Sequence, residues 1–247
     1  MTKPELTAAA VQAELAAVAD PGDAVHLRRF FKTGPGEYGA GDEFIGVRVP
    51  QTRKVAKRFA ELPLAQIDLL LDSPVHEHRL AGLVILNGWM ARAVSPRRRD
   101  IAAQERIVEL YLAAVRRGRV NNWDLVDASA EYTLGPWFAE RSRDPLFRLA
   151  ARESLWERRV ALLTTFHFIK AGDPATTVEL CELLLPDRRD LIQKAVGWML
   201  REIGKRVDQG TLLAFLDAHA ADMGRTALSY ATEHLSSEQR QHYRSLR

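Results

Sequence analysis

Three features of this 247-residue chain predict an all-α fold. Apolar residues recur at helical spacing in nearly every segment, the β-branched runs are too short and isolated to pair into a sheet, and Asp-Pro or Ser-Pro stands where several helices would begin. The first helix, 5–19, is Ala-rich and carries Glu5, Gln12 and Glu14; a second spans 23–32. Residues 33–42 hold four glycines and Tyr38 and form the main irregular segment; no strand precedes it and no Gly-Lys-Ser/Thr ending follows, so it is not a phosphate loop. Helices then follow over 50–62, 64–71, 74–92 (after Ser73-Pro74), 100–117, 123–134, 136–142, 145–154 (after Asp144), 156–170, 174–185 (after Asp173), 190–205 and 208–219, with two short ones beyond. The short connectors imply that successive helices are antiparallel neighbours.

Composition bounds the partners. A chain of this length that is 47% hydrophobic buries a substantial core without disulfides or metals, and one domain over 1–247 is the default. With 35 Lys and Arg against 32 Asp and Glu, the net charge of +3 decides nothing about an anionic partner, so clustering has to. Cys181 is the only cysteine, which excludes an intramolecular disulfide; its apolar neighbours make it a buried, inert thiol. The N-terminal stretch is unlike a signal peptide and no apolar run approaches a membrane span, so a cytoplasmic protein is expected, with a monomer as the default. His76 and His78 flank Glu77, but i, i+2 positions fall on different faces of a helix, so a metal site is not expected; nothing points to a cofactor.

The densest chemistry lies in Asn122-Trp123-Asp124-Leu125-Val126-Asp127. On a helix, an indole at 123 and a carboxylate at 127 are neighbours and can act on one ligand. Trp156 and Arg159, then Lys194, Trp198 and Arg201, add aromatic and basic groups on later helices. Trp123, Trp156 and Trp198 stand 33 and 42 residues apart, a loose period that resembles helical repeat pairs. Basic clusters occur at Arg48, Arg53, Lys54, Lys57 and Arg58, at Arg97, Arg98 and Arg99, and at Arg116, Arg117 and Arg119. Singly, each is a solvated face; several in succession would track a phosphate backbone, and with no helix-turn-helix or zinc-finger pattern the readout would be of backbone and shape.

Segments 123–127, 156–163, 192–202 and 44–50 resemble, in order and spacing, the motifs of the AlkD-type DNA alkylation repair glycosylases, and the likeness extends over most of the chain. The resemblance implies a C-shaped α-solenoid of HEAT-like repeats with a concave basic face for duplex DNA, and excision of N3- or N7-alkylated purines. It places the catalytic carboxylate on Asp127, aromatic contacts on Trp123 and Trp198, and a phosphate contact on Arg159, which Lys194 and Arg201 would extend. Phe30, Arg48, Arg53 and Lys54 are the remaining expected DNA contacts. Where some members of that family carry a Tyr on the second helix this chain has Phe30, and its Gly-rich loop is longer. The alternative is a HEAT-like module that binds distorted or branched DNA without chemistry.

Overall fold

The computed structural model describes residues 5–246, and among them every regular element is a helix. The chain forms two compact units, residues 1–133 and 134–247. The first contains α1 (Ala8–Ala16), α2 (Pro21–Phe30), α3 (Val49–Arg58), α4 (Leu64–Leu71), α5 (His76–Val94), α6 (Ile101–Arg116), α7 (Trp123–Asp127) and α8 (Ala130–Thr133). The second contains α9 (Gly135–Phe138), α10 (Asp144–Ala150), α11 (Leu155–Thr164), α12 (Phe166–Lys170), α13 (Ala175–Leu184), α14 (Asp190–Arg206), α15 (Gln209–His219), α16 (Arg225–Ala231) and α17 (Ser237–Ser245).

Each unit is organised on one long helix. In the first, α5 buries Leu80, Leu83, Leu86 and Met90 and is packed by α3, α4, α6 and α8. A helix buried on most of its surface takes its stability from tertiary packing more than from propensity. In the second, α14 buries Ile192, Val196, Met199, Leu200 and Ile203 and is packed by α11, α13, α15 and α16. Gly197 lets α16 come close: a Cβ there would lie 2.4 Å from the Ala227 carbonyl oxygen. Cys181, on α13, is fully buried and burial pushes its thiol pKa up, as its apolar neighbours imply.

The expected helix order holds, with two interruptions. The segment 123–134 divides into α7 and α8 because the Ser129 hydroxyl donates to the Leu125 carbonyl at 2.5 Å and meets the Tyr111 hydroxyl at 2.9 Å, while Asn87 Nδ2 donates to the Ala128 carbonyl at 2.7 Å. Side-chain bonds of this kind compete with the helical ladder. The segment 156–170 divides at Thr165 by the same means: Thr164 and Thr165 both donate back to carbonyls of the preceding turn, at Val160 and Leu162. Among the proline starts, Asp173 Oδ1 accepts from the Ala175 N–H and Ser73 Oγ from the Val75 N–H, whereas Asp144 is itself the first residue of α10.

The 44–49 connection is a shaped loop. Gly46 has φ +83°, and a Cβ there would sit 1.9 Å from the Asp20 carbonyl oxygen. The Glu77 carboxylate, buried at the start of α5, accepts from the Gly46 N–H at 2.8 Å, the Val47 N–H at 3.1 Å and the Ile45 N–H at 3.2 Å. One anion at a helix N-terminus thus satisfies three consecutive backbone donors. Gly36 provides the contrast, with φ +79° and nothing within 4 Å of its added Cβ. Gly46→Ala is expected to lower stability in urea by more than about 2 kcal/mol, and Gly36→Ala by about 1 kcal/mol, the cost of left-handed backbone alone. Equal losses would refute the close approach.

Candidate active site

Asn122 Oδ1 accepts from the Trp123 N–H at 2.9 Å and starts α7. Leu125 and Val126 are fully buried, which turns Trp123, Asp124 and Asp127 toward a cleft of about 480 Å³ in the first unit. The volume lies within the range of small-molecule and base-sized sites. Phe30, Phe31, Phe44, Val49 and Pro50 supply its apolar wall, and Arg48 and Arg53 lie at its lining. A larger cavity of about 750 Å³ in the second unit, between Arg225 and Arg244, combines no carboxylate with any aromatic ring. Of these two, the acid and the aromatic groups converge on the smaller cleft.

The aromatic wall is layered. Trp123 stacks on buried Phe31 at 5.3 Å, Phe31 on Phe44 at 5.1 Å, and Phe44 on the His76 ring at 4.5 Å. Phe30 stands outside this stack, edge-on to Trp123 at 5.9 Å and 54% exposed. An exposed large aromatic beside a half-buried indole is an apolar surface waiting for a flat partner.

Beneath the wall lies a buried charge network. His76 Nδ1 is 3.0 Å from Asp42 Oδ2, and His76 Nε2 is 2.8 Å from Asp124 Oδ2. Arg79 donates to the other Asp42 oxygen at 2.7 Å, joined by Asn121 at 3.0 Å. Burial alone would lower the His76 pKa, but the Asp124 and Asp42 carboxylates outweigh it and raise it to about 9. Burial pushes the Asp42 carboxyl up, yet hydrogen bonds from His76 and Asn121 and the charge of Arg79 hold it below the usual range. Burial, reinforced by the charge of Asp127, likewise raises the pKa of Tyr111 and keeps that phenol protonated. His78 takes a separate partner, Ser73, at 2.9 Å, so the two histidines do not converge on a common point, as their spacing implies.

The sequence-derived site residues fall into distinct settings. Trp123, Asp127, Phe30, Arg48 and Arg53 share the cleft. Arg48 is paired with Asp23 through contacts of 2.7 and 2.5 Å. Lys54 instead lines a separate groove with Glu14, Val18 and Arg58. Arg117 and Arg119 pair at the surface with Asp68 and Asp72.

The other four lie in the second unit. Arg159 is 4% exposed and donates from Nη1 to the Leu191 carbonyl at 2.6 Å, joining α11 to α14. Trp198 is half-buried with its ring 5.7 Å from Phe166. Lys194 pairs with Asp190 at 2.8 Å, and Arg201 with Glu233 and Glu202. Trp89 donates to the Leu62 carbonyl at 3.0 Å beneath the Arg92 guanidinium. Sequence reasoning passed over Phe31, Asp42, Phe44, Glu77 and Asp124 as site builders and weighed His76 only as a metal ligand. Asp124 lies inside the motif already noted, so its position was a signal; nothing local linked Asp42 to it.

The sequence profile of the DNA alkylation repair enzyme family matches residues 11–235. The fold is similar to that of a solved structure described as a predicted DNA alkylation repair enzyme from Enterococcus faecalis, with a TM-score of 0.68 and 18% identity, covering 89% of this chain and 97% of that one. No curated protein is significantly similar to the chain. Among the described residues no helix is long and apolar enough to cross a membrane.

The network makes stability depend on pH in a defined direction. His76 is raised from an ordinary value of 6.5 to about 9, so its stabilising contribution is complete below pH 6.5 and is lost as pH rises through 9. Asp42 is lowered, so its contribution is present above its ordinary value of 3.8 and lost as pH falls. Urea unfolding is expected to show a plateau below about pH 6.5 and a progressive loss of a few kcal/mol by pH 10, with His76→Gln flattening the alkaline limb. An unchanged alkaline limb in that variant would contradict the assignment.

Proposed function

The chain belongs to the DNA alkylation repair enzyme family, and from that membership and the geometry of the cleft we propose that it is a monofunctional glycosylase that excises cationic N3- or N7-alkylated purines from duplex DNA. In this reading the whole chain, 1–247, acts as one HEAT-like repeat domain. The observation that carries the proposal is the Asp127 carboxylate on α7, one turn from Trp123, lining a cleft that also holds Phe30, Phe31 and Phe44.

Alkylation at N3 or N7 makes the purine formally cationic and a good leaving group, so no general acid is needed to protonate it. The demand moves to the sugar, where positive charge builds in an oxocarbenium-like transition state of the kind that carboxylates meet in glycoside hydrolysis. Asp127, held ionised beside the anomeric carbon, stabilises that charge and positions a water for attack. Trp123 and Phe30 offer electron-rich faces to the lesion, each contact contributing about 0.5–2 kcal/mol. These contacts select a charged base; the rate depends mainly on the carboxylate. A lyase step would need an amine nucleophile, and the residues lining the cleft include no lysine.

Arg48 and Arg53 serve as phosphate contacts at the cleft, and Lys54 as one on the neighbouring groove. Exchanging the exposed Arg48–Asp23 pair for a phosphate costs little, because both partners stay solvated and their attraction is screened. In the second unit Trp198 is the further aromatic contact, with Lys194, Arg201 and Arg159 on the phosphates.

The test is release of free base from duplex DNA carrying N7-methylguanine or N3-methyladenine. Asp127→Asn is expected to reduce release by about two to three orders of magnitude, the scale of removing one preorganised electrostatic stabiliser, while duplex affinity stays unchanged and falls steeply with salt in both proteins. Equal release by both proteins would remove Asp127 from the chemistry. Tight, salt-sensitive binding with no release would identify a non-catalytic DNA-binding module.

A further inference from the structure

We infer that His76, clasped as an imidazolium between Asp42 and Asp124, is the positioning residue that fixes α7 and thereby sets Trp123 and Asp127 at the cleft. Its kinetic consequence rests on the glycosylase reading; the clasp itself does not.

The geometry favours a doubly protonated ring. Both ring nitrogens face carboxylate oxygens, at 3.0 and 2.8 Å, and an ionised carboxylate only accepts. A neutral imidazole has one N–H and would leave a bare nitrogen against the second oxygen. Asp42 cannot readily hold the extra proton, because Arg79 and Asn121 already donate to its other oxygen at 2.7 and 3.0 Å. Asp124 Oδ1 is buried with no hydrogen-bond partner, so its bond to His76 is the anchor of that carboxylate among the described residues. Three groups oppose the charge: the apolar burial among Phe31 and Phe44, the positive end of α5, of which His76 is the first residue, and Arg79. The two carboxylates outweigh them, and the four charges of Asp42, Asp124, His76 and Arg79 sum to zero. The neighbouring Glu77 is committed to the 45–47 backbone.

The clasp joins three segments that are distant in sequence: the Gly-rich loop through Asp42, the start of α5 through His76, and α7 through Asp124. It acts on both candidate groups at once. Asp124 lies on the five-residue helix that carries Asp127, and the His76 ring underlies the Phe44–Phe31 stack on which Trp123 rests. A helix this short has no internal stability of its own and depends on such anchors.

Long-range proton–nitrogen NMR of the His76 ring, followed from pH 7 to 10 together with hydrogen-exchange protection of α7 and α5 amides, tests the clasp without reference to activity. The expected result is two protonated ring nitrogens at pH 7.5, a titration centred near 9, and α7 protection that falls across it while that of the α5 core does not. A neutral ring at pH 7.5, or α7 protection indifferent to the titration, would overturn the inference. Single-turnover base release over the same range should fall with the His76 titration, and in Asp124→Asn the fall should begin at least one pH unit lower. Release that ignores the titration overturns the positioning role. Absence of release at every pH, with the NMR and exchange results as expected, overturns the glycosylase reading and leaves the clasp in place.

Discussion

The arrangement of the cleft depends on a single buried ring held by two carboxylates, because neither α7 nor the loop before α3 has enough internal structure to hold itself. Helix α7 is five residues long, and the 44–49 loop has its backbone donors collected by Glu77. Both are tied to the first turn of α5: His76 reaches Asp124 and Asp42, and Glu77 reaches the loop. Since α5 is the core helix of the first unit, the position of the cleft residues is set by the most thoroughly packed element available. Buried charge networks of this kind contribute little net stability, since desolvation offsets the Coulombic gain, but breaking one partner leaves an uncompensated charge. What such a network gains is a unique geometry, which a carboxylate acting on a sugar requires.

Different side chains carry different parts of the work. The Trp123–Phe31–Phe44 stack is apolar packing that ends in one half-buried indole, and Phe30 adds an exposed edge without a hydroxyl. Such a surface favours flat, polarisable, cationic partners through contacts that are individually modest. In the proposed reaction, Asp127 is the group whose effect scales with charge development and exclusion of water. Exposed arginines such as Arg48 are held by weak surface pairs and can exchange partners, whereas the Arg159 guanidinium lies inside the helix packing of the second unit.

Much of this was legible in the sequence. Helical periodicity placed the elements to within a few residues, and it failed only where Ser129, Thr164 and Thr165 hydroxyls turn back on their own helices. Those breaks are invisible to a pattern of apolar positions because the interrupting residues are compatible with a helix. The spacing of Trp123 and Asp127 was readable because i, i+4 neighbours on a helix are a local property. Asp42, His76 and Asp124 were not, since their meeting depends on tertiary packing across 34 and 48 residues. The ion-pair partners of the basic clusters were not legible for a related reason: a run of Arg117 and Arg119 says nothing about Asp68 and Asp72, which are distant in sequence.

The proposed role of Asp127 is to meet positive charge developing on the sugar. It is tested most directly by comparing the affinity of the protein for duplex DNA containing a cationic pyrrolidine in place of one deoxyribose with its affinity for the same duplex containing a neutral tetrahydrofuran. The cationic analogue is expected to bind at least about tenfold more tightly, equivalent to about 1.4 kcal/mol, and the preference to disappear in Asp127→Asn. Equal affinities for the two analogues, or a preference that survives that substitution, would contradict it.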